Sequence, residues 1–405
     1  MTVATVNTDA VPTDVPTRRR RVAIIVNTLT PYRVQAHLRF KHEIPNIEID
    51  TYVTWDTSRN PWIYKDMPDI GVVTFPDAVA ESMFGTVDYF IGDYRTGGRI
   101  IERMERSRPD AAVICGYAYP AMLRCHLWCR RRGIPVLLWS DSNVHADTAG
   151  GLRRVVKDVA VKRVARISDA LLICGTNGER YWARYGARAE RMFRVPVEPD
   201  YELIDRTPRA IIDEIAAKNR WDPGRRRMLI CARLVPVKAV DQAIDAFSAI
   251  ARKRPEFDLV IVGTGPLRRE LEARVPTTLA SRVTFAGFYD RQEAVNAFYR
   301  SCDVFVHPAN WEPWGVVLLE AAAAGLAIIT TSVVGAVPEV AHDGLNARIV
   351  PPNDRRALME AMLSVTEPGR LESMKAASVQ VSRHAREASD PVRGLRDALK
   401  STGVL

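Results

Sequence analysis

Cysteine is scarce in this chain, with six in 405 residues at Cys115, Cys125, Cys129, Cys174, Cys231 and Cys302, scattered rather than grouped. That scatter argues against a disulfide framework, and no second Cys or His pair follows Cys125 and Cys129 to complete a zinc site. Cys115, Cys174 and Cys231 stand in or beside apolar runs and read as small buried hydrophobes of a reducing compartment. Also missing is an apolar core behind the basic run Arg18 to Arg21, which export would require. Residues 1–20 therefore read as a disordered leader, and the protein as cytoplasmic. From Gly315 to Pro338 only Glu320 is charged, but Gly325, Thr330, Thr331, Ser332 and Gly335 break the run. A carboxylate is expensive in hydrocarbon, so the segment reads as a buried helix, a loop and a strand rather than a membrane span.

What is present is the composition of a soluble globular protein, 47% apolar and 26% charged, long enough for two domains with separate cores. The formal charge of +9 comes mainly from dispersed arginines. One denser cluster, Arg153, Arg154, Lys157, Lys162, Arg163 and Arg166, suits water, a phosphorylated substrate or the anionic inner face of a cell membrane. No aromatic-studded RNA motif or zinc module accompanies the charge, so nucleic acid is not an expected partner.

Short apolar runs alternate with helical patterns twice. The first half offers Val22–Val26, Ile47–Val53, Ala111–Cys115, Val136–Trp139, Ala170–Cys174 and Met192–Val195. The second offers Met228–Cys231, Asp258–Val262, Val283–Phe285, Val304–Val306, Ala327–Ile329 and Ala347–Val350. Strand and helix in alternation predict an α/β protein with two doubly wound parallel sheets, Rossmann-like, facing a cleft at their carboxyl edges. The expected division is an N-terminal domain over 21–196, a proline-punctuated linker over 197–207, and a C-terminal domain over 208–382. A final helical segment over 383–405 follows.

The most chemically loaded stretch is Trp311-Glu-Pro-Trp-Gly-Val-Val-Leu-Leu-Glu320, with Glu312 in a loop and Glu320 within a helix. Pro313 fits a first helical position and Gly315 allows close approach to the backbone. Helix N-terminal amides favour a phosphate, and two carboxylates accept hydroxyl hydrogen bonds. Glu312 as an ordinary acid near a helix start is the plain alternative. A ligand both phosphorylated and polyhydroxylated, such as a sugar nucleotide, meets both demands.

The second half resembles the retaining GT-B glycosyltransferases of the family 4 type through an ordered series of motifs. These are Ile230-Cys-Ala-Arg233-Leu-Val-Pro-Val-Lys238, Val262-Gly-Thr-Gly-Pro266, Val283-Thr-Phe-Ala-Gly-Phe288, Cys302-Asp-Val-Phe-Val-His-Pro308, the paired glutamates, Gly335-Ala-Val-Pro-Glu339 and Asp343-Gly-Leu-Asn-Ala-Arg-Ile-Val-Pro-Pro352. The resemblance implies GT-B architecture and transfer of a sugar from a UDP, GDP or ADP donor to a hydroxyl acceptor, with retention of configuration. It also assigns residues. Arg233 and Lys238 neutralise the leaving diphosphate, Glu312 lies near the donor sugar, and Glu320 bonds the ribose hydroxyls. The amides of Trp314, Gly315, Val316 and Val317 hold the diphosphate or sugar, and Gly287 with Phe288 packs against the base, unless Phe288 is core.

The Gly263-Thr-Gly265 turn lacks a third glycine and sits mid-domain, which gives redox function little support. No Asp-X-Asp sequence occurs, so the metal clamp of the other large glycosyltransferase fold is missing and metal independence is expected, with no cofactor. In the first half, Asn27-Thr-Leu-Thr-Pro-Tyr-Arg33 replaces the paired-glycine loop of many relatives and resembles a subset associated with polysaccharide and glycolipid assembly; Arg33 is placed to reach donor phosphates. Asp141 aligns where many relatives carry a histidine, and reads either as a catalytic carboxylate or as a helix cap. His145 is a weaker candidate for the same role. Because the fold also serves sugar-nucleotide epimerases and phosphorylases, those activities stay open as alternatives.

Overall fold

The computed structural model describes residues 18–54, 67–75, 86–146 and 150–405. The proposed disordered leader falls outside them except for Arg18, Arg19 and Arg20, and these three are anchored. Arg18 lies 3.6 Å from Asp110, Arg19 lies 3.9 Å from Glu48, and Arg20 opens the first strand.

Among the described residues, thirteen strands form two sheets. The first holds β1 (Arg20–Val26), β2 (Ile47–Val53), β3 (Val72–Thr74), β4 (Ala111–Cys115), β5 (Val136–Ser140), β6 (Ala170–Ile173) and β7 (Met192–Arg194) in the order β3-β2-β1-β4-β5-β6-β7. The second holds β8 (Arg226–Cys231), β9 (Phe257–Val262), β10 (Val283–Gly287), β11 (Val304–His307), β12 (Ala327–Thr331) and β13 (Ala347–Val350) in the order β10-β9-β8-β11-β12-β13. Neighbouring strands pair in parallel throughout. The central strands are apolar on both faces because helices cover both, which is why Val22–Val26 and Ala111–Ile114 have no exposed surface, whereas β2 nearer the edge alternates through Glu48 and Asp50. Strand β3 is absent from the sequence expectations. It has three half-buried residues at a sheet edge, too few for an alternating pattern to register.

In each sheet the order reverses once, between β1 and β4 and between β8 and β11. Loops leaving the carboxyl ends of such strands diverge and leave a crevice. The candidate residues sit on those loops. On one face of the first sheet the helices Val87–Ser107, Pro120–Arg131 and Gly151–Ile167 supply Ile100, Met104, Met122, Cys125, Val161 and Val164 to the core. On the other face Phe40 of helix Pro31–Glu43 packs with Val392, Leu395, Ala398 and Leu399 of the last helix, Pro391–Ser401. The chain thus crosses back to the first sheet at Ser389 and Asp390. Arg39 fastens that crossing, donating to Glu43, to the buried Glu198 at 2.5 Å and to Asp390 at 2.8 Å.

Candidate active site

The loop after β8 is shaped by its neighbour after β9. Leu234 N–H donates to Thr264 carbonyl at 2.9 Å, and a Cβ on Gly263 would lie 1.9 Å from the Ala232 carbonyl oxygen. Glycine is needed there for backbone contact, a structural role for the turn that first suggests a dinucleotide fingerprint. The braced loop leaves Arg233 exposed, with no side-chain hydrogen bond or ion pair among the described residues. One turn further on, Lys238 closes the short helix Pro236–Lys238 and forms an ion pair with Glu312 Oε2. The two are joined rather than separate, and both are mostly buried.

Glu312 stands in the loop after β11, which is pinned to the loop after β12. Gly335 N–H donates to the Glu312 carbonyl at 3.1 Å, and a Cβ at Gly335 would fall 2.0 Å from the Pro313 carbonyl oxygen. Buried His307, at the end of β11, brings Nε2 within 3.3 Å of the same Glu312 oxygen. Burial alone would raise the Glu312 pKa, but His307 and Lys238 outweigh it and hold it at about 2. Burial lowers His307, so at neutral pH the imidazole is uncharged and Lys238 is the balancing cation.

Pro313 does not open a helix. The helix runs Val316–Ala323 and Gly315, at φ +94°, precedes it in the left-handed region. That conformation breaks the helix short of Pro313 and leaves the first amides, Val316 and Val317, without intrahelical acceptors. The Trp314 side chain turns away: it is buried, and its indole N–H donates to the Val197 carbonyl of the linker at 2.7 Å. Glu320 lies fully buried one turn along, accepting from Tyr299 and Tyr32 hydroxyls at 2.9 Å each and from Gln292 at 2.8 Å. Burial pushes its pKa up to about 7 against the pull of these donors.

From the first domain, Asn143 donates to the Glu312 and Pro313 carbonyls at 3.1 and 2.6 Å, fixing the acidic loop from across the cleft. Glu339 caps a helix of the opposite domain by accepting from Thr176 N–H at 2.7 Å, and Asn177 donates to the Gly335 carbonyl at 3.2 Å. Asp141 is exposed in the loop after β5 and caps no described helix; in the short helix Val144–Ala146 that follows, it is Asn143 Oδ1 that accepts, from His145 N–H at 2.9 Å. His145 is half-buried with its pKa lowered by burial and by Arg180. Arg33 lies over the Trp139 ring at 4.8 Å and donates to Cys115 Sγ at 3.3 Å. Gly287, at φ +84°, and Phe288 end β10 on the far side of β9, where Phe288 is exposed and not part of the core.

The structure therefore gathers Lys238, Glu312 and the Val316–Val317 amides at the second sheet's switch point, with Glu320 behind them. Sequence reasoning assigned no role to Tyr32, Asn143, Gln292, Tyr299 or His307. Tyr32 and His307 lie inside quoted motifs and Asn143 stands between the candidates Asp141 and His145, but Gln292 and Tyr299 carry no local signal. No helix among the described residues is long and apolar enough to cross a membrane, and no group of three or more His, Cys, Asp or Glu among them is arranged to hold a metal ion.

This arrangement of two facing parallel-sheet domains has close counterparts. The chain aligns over 95% of its length with sucrose-phosphate synthase from Thermosynechococcus elongatus, covering 98% of that chain at a TM-score of 0.73 and 18% identity. It aligns with 94% coverage to WaaG, a glycosyltransferase involved in lipopolysaccharide biosynthesis, covering all of that chain at a TM-score of 0.66 and 18% identity. Both likenesses identify the fold as GT-B. In sequence, residues 211–379 match the family model for glycosyl transferases group 1. The lipopolysaccharide core biosynthesis mannosyltransferase LpsB of Rhizobium meliloti is 31% identical over 261 residues, which span 58% of this chain and 71% of that one. A GDP-mannose-dependent α-(1-6)-phosphatidylinositol dimannoside mannosyltransferase of Mycobacterium tuberculosis is 30% identical over 245 residues, 58% of this chain and 61% of that one. The chain belongs to the glycosyl transferases group 1 family and is a nucleotide-sugar glycosyltransferase.

Proposed function

We propose that this enzyme transfers a hexosyl group, with retention and without a metal ion, from a nucleoside-diphosphate sugar to a hydroxyl of a membrane-associated glycan or glycolipid acceptor. The observation that carries the reading is Arg233, without a side-chain partner among the described residues, five residues before Lys238, whose ion-pair partner Glu312 lies in the loop leading to the Val316 and Val317 amides. Fixed positive charge and free N–H groups suit a diphosphate on which negative charge grows as the glycosidic bond breaks. Arg233 and Lys238 then take the place of a divalent cation. Glu312, held ionised and neutralised by Lys238, is a poor nucleophile and is better placed to accept donor-sugar hydroxyls. That favours a front-face displacement, in which the departing phosphate takes the acceptor proton. Glu320 is assigned the ribose hydroxyls. The mannosyltransferase relatives make GDP-mannose the first donor to try, with UDP and ADP sugars as alternatives.

Acceptor delivery from a bilayer is supported by the first domain's surface. Val87, Phe90, Ile91 and Tyr94, then Leu123 and Leu127, then Leu152, Val155, Val156 and Val159 are exposed apolar residues. All but Leu127 lie in the first half or at the midpoint of three helices that each follow a strand of the first sheet, which sets them toward its carboxyl edge. Leu152 is 80% exposed and Val159 66%, far more than a solvated helix needs, and Arg153, Lys162, Arg163 and Arg166 flank them. An apolar strip bordered by cations matches an anionic lipid surface.

The deciding assay incubates purified enzyme with GDP-, UDP- and ADP-sugars and a lipid-linked saccharide, with and without excess EDTA. One donor should support transfer at an undiminished rate in EDTA, and the product's anomeric configuration should match the donor's. Inhibition by EDTA reversed by Mg²⁺ or Mn²⁺, or an inverted product, would refute the mechanism.

A further inference from the structure

Glu320 is wholly shut off from solvent, yet one of its three hydrogen-bond donors comes from the opposite domain. Gln292 and Tyr299 belong to its own domain, and Tyr299 is fully buried there. Tyr32 is the second residue of helix Pro31–Glu43, just beyond the loop that leaves β1, and its hydroxyl reaches Glu320 Oε1 at 2.9 Å. Thr30 caps that helix and Pro31 opens it, so the ring is delivered from a rigid start. Oε1 already accepts from Gln292, and with Tyr32 its two lone-pair positions are filled. A phenol hydroxyl and a ribose hydroxyl offer a carboxylate the same single donor.

We propose that Tyr32 is a placeholder for a ribose hydroxyl at Glu320: it occupies the carboxylate while no donor is bound, and the nucleotide must displace it to enter. The inference rests on the reading that Glu320 binds the ribose. Tyr32 is the partner that can leave, because separating the domains withdraws it without disturbing the second domain's core. The contact also answers a physical need, since a buried carboxylate stripped of donors is costly. Tyr32 thus satisfies Glu320 in the empty enzyme and links nucleotide entry to relative movement of the domains. The nucleotide's apparent affinity is reduced by the strength of the bond it breaks.

Calorimetric titration with UDP, GDP and ADP tests this on the wild type, Tyr32→Phe, Glu320→Gln and the double variant, with melting temperatures confirming the fold. Tyr32→Phe should bind the preferred diphosphate about tenfold more tightly, as expected for removing a competing hydrogen bond to a charged group. The donor KM should fall in parallel. In the Glu320→Gln background the same change should have little effect. Tyr32→Ala, which clears the ring as well, should also tighten binding. Unchanged affinity in a folded Tyr32→Phe would overturn the placeholder, and weaker affinity would overturn it in favour of direct contact between the Tyr32 hydroxyl and the nucleotide. If Glu320→Gln alone leaves affinity unchanged, the ribose assignment itself fails.

Discussion

Arg233 and Lys238 carry equal charge five residues apart, but their surroundings separate what their removal should do. Arg233 is exposed and has no side-chain partner among the described residues, so Arg233→Ala should lower turnover by about 10²-fold with little change in melting temperature. Lys238 neutralises a mostly buried Glu312, so Lys238→Ala should lower turnover similarly and also cost several degrees of melting temperature, since it strands a carboxylate. Steady-state kinetics with thermal denaturation separates the two. Glu312 also gives a signed pH dependence. Its folded pKa, about 2, lies below the ordinary 4.5, so its stabilisation is fully present above 4.5 and is lost as pH falls towards 2. At pH 6 wild type should be more stable than Glu312→Gln by on the order of 3 kcal/mol. By pH 2.5 most of the difference should be gone, as urea titrations across that range would show.

At the scale of elements, the helix Val87–Ser107 carries two adjacent glycines with opposite reasons for being there. A Cβ on Gly97 would meet the Ala121 Cα at 2.9 Å, because helix Pro120–Arg131 crosses at backbone contact. A Cβ on Gly98 would meet only the end of the Arg124 side chain, which can swing aside. In a helix interior alanine is better than glycine by about 0.8–1 kcal/mol, so Gly98→Ala should raise stability by up to that amount. Gly97→Ala should lower it by about 1–3 kcal/mol through overpacking, reversing the sign of the intrinsic preference. Denaturant midpoints of the two variants check the contrast.

At the scale of the molecule, several polar contacts bridge the cleft, namely Tyr32 to Glu320, Asn143 to the Glu312–Pro313 carbonyls, Asn177 to Gly335 and Glu339 to Thr176. Hydrogen bonds of this kind can be exchanged for bonds to water, which suits two bodies that separate to admit substrates and close to exclude water. The exposed apolar strip named above lies on the first of these bodies, so the proposed docking on lipid would leave the second free to move. Vesicles containing phosphatidylglycerol should co-sediment the enzyme at low salt, binding should fall as salt rises, and neutral phosphatidylcholine vesicles should retain little. Leu152→Asp with Val156→Asp should abolish retention while leaving nucleotide affinity unchanged. Equal retention by the neutral vesicles, or by the double variant, would count against the lipid surface.

Period and order in the sequence determined most of the architecture. Twelve of the thirteen strands among the described residues stand out as runs rich in apolar residues, because a strand covered on both faces has little polar alternation to dilute it, and their spacing leaves room only for parallel crossovers. The same local reasoning placed Glu312 in a loop and Glu320 in a helix, and singled out Arg233 and Lys238 as candidates. It failed where the determining contact was remote. Pro313 looked like a helix start, but the pinning of its carbonyl against Gly335 and the left-handed turn at Gly315 delay the helix to Val316. Nor does any local pattern show that the Trp314 indole turns inward to the Val197 carbonyl, leaving only its backbone beside the loop. Only the tertiary structure joins Lys238 to Glu312 and carries Tyr32 across 288 residues of sequence to Glu320. A hydrogen bond or ion pair acts over a few ångströms in space, and nothing in a local pattern records which distant side chain will be folded into that range.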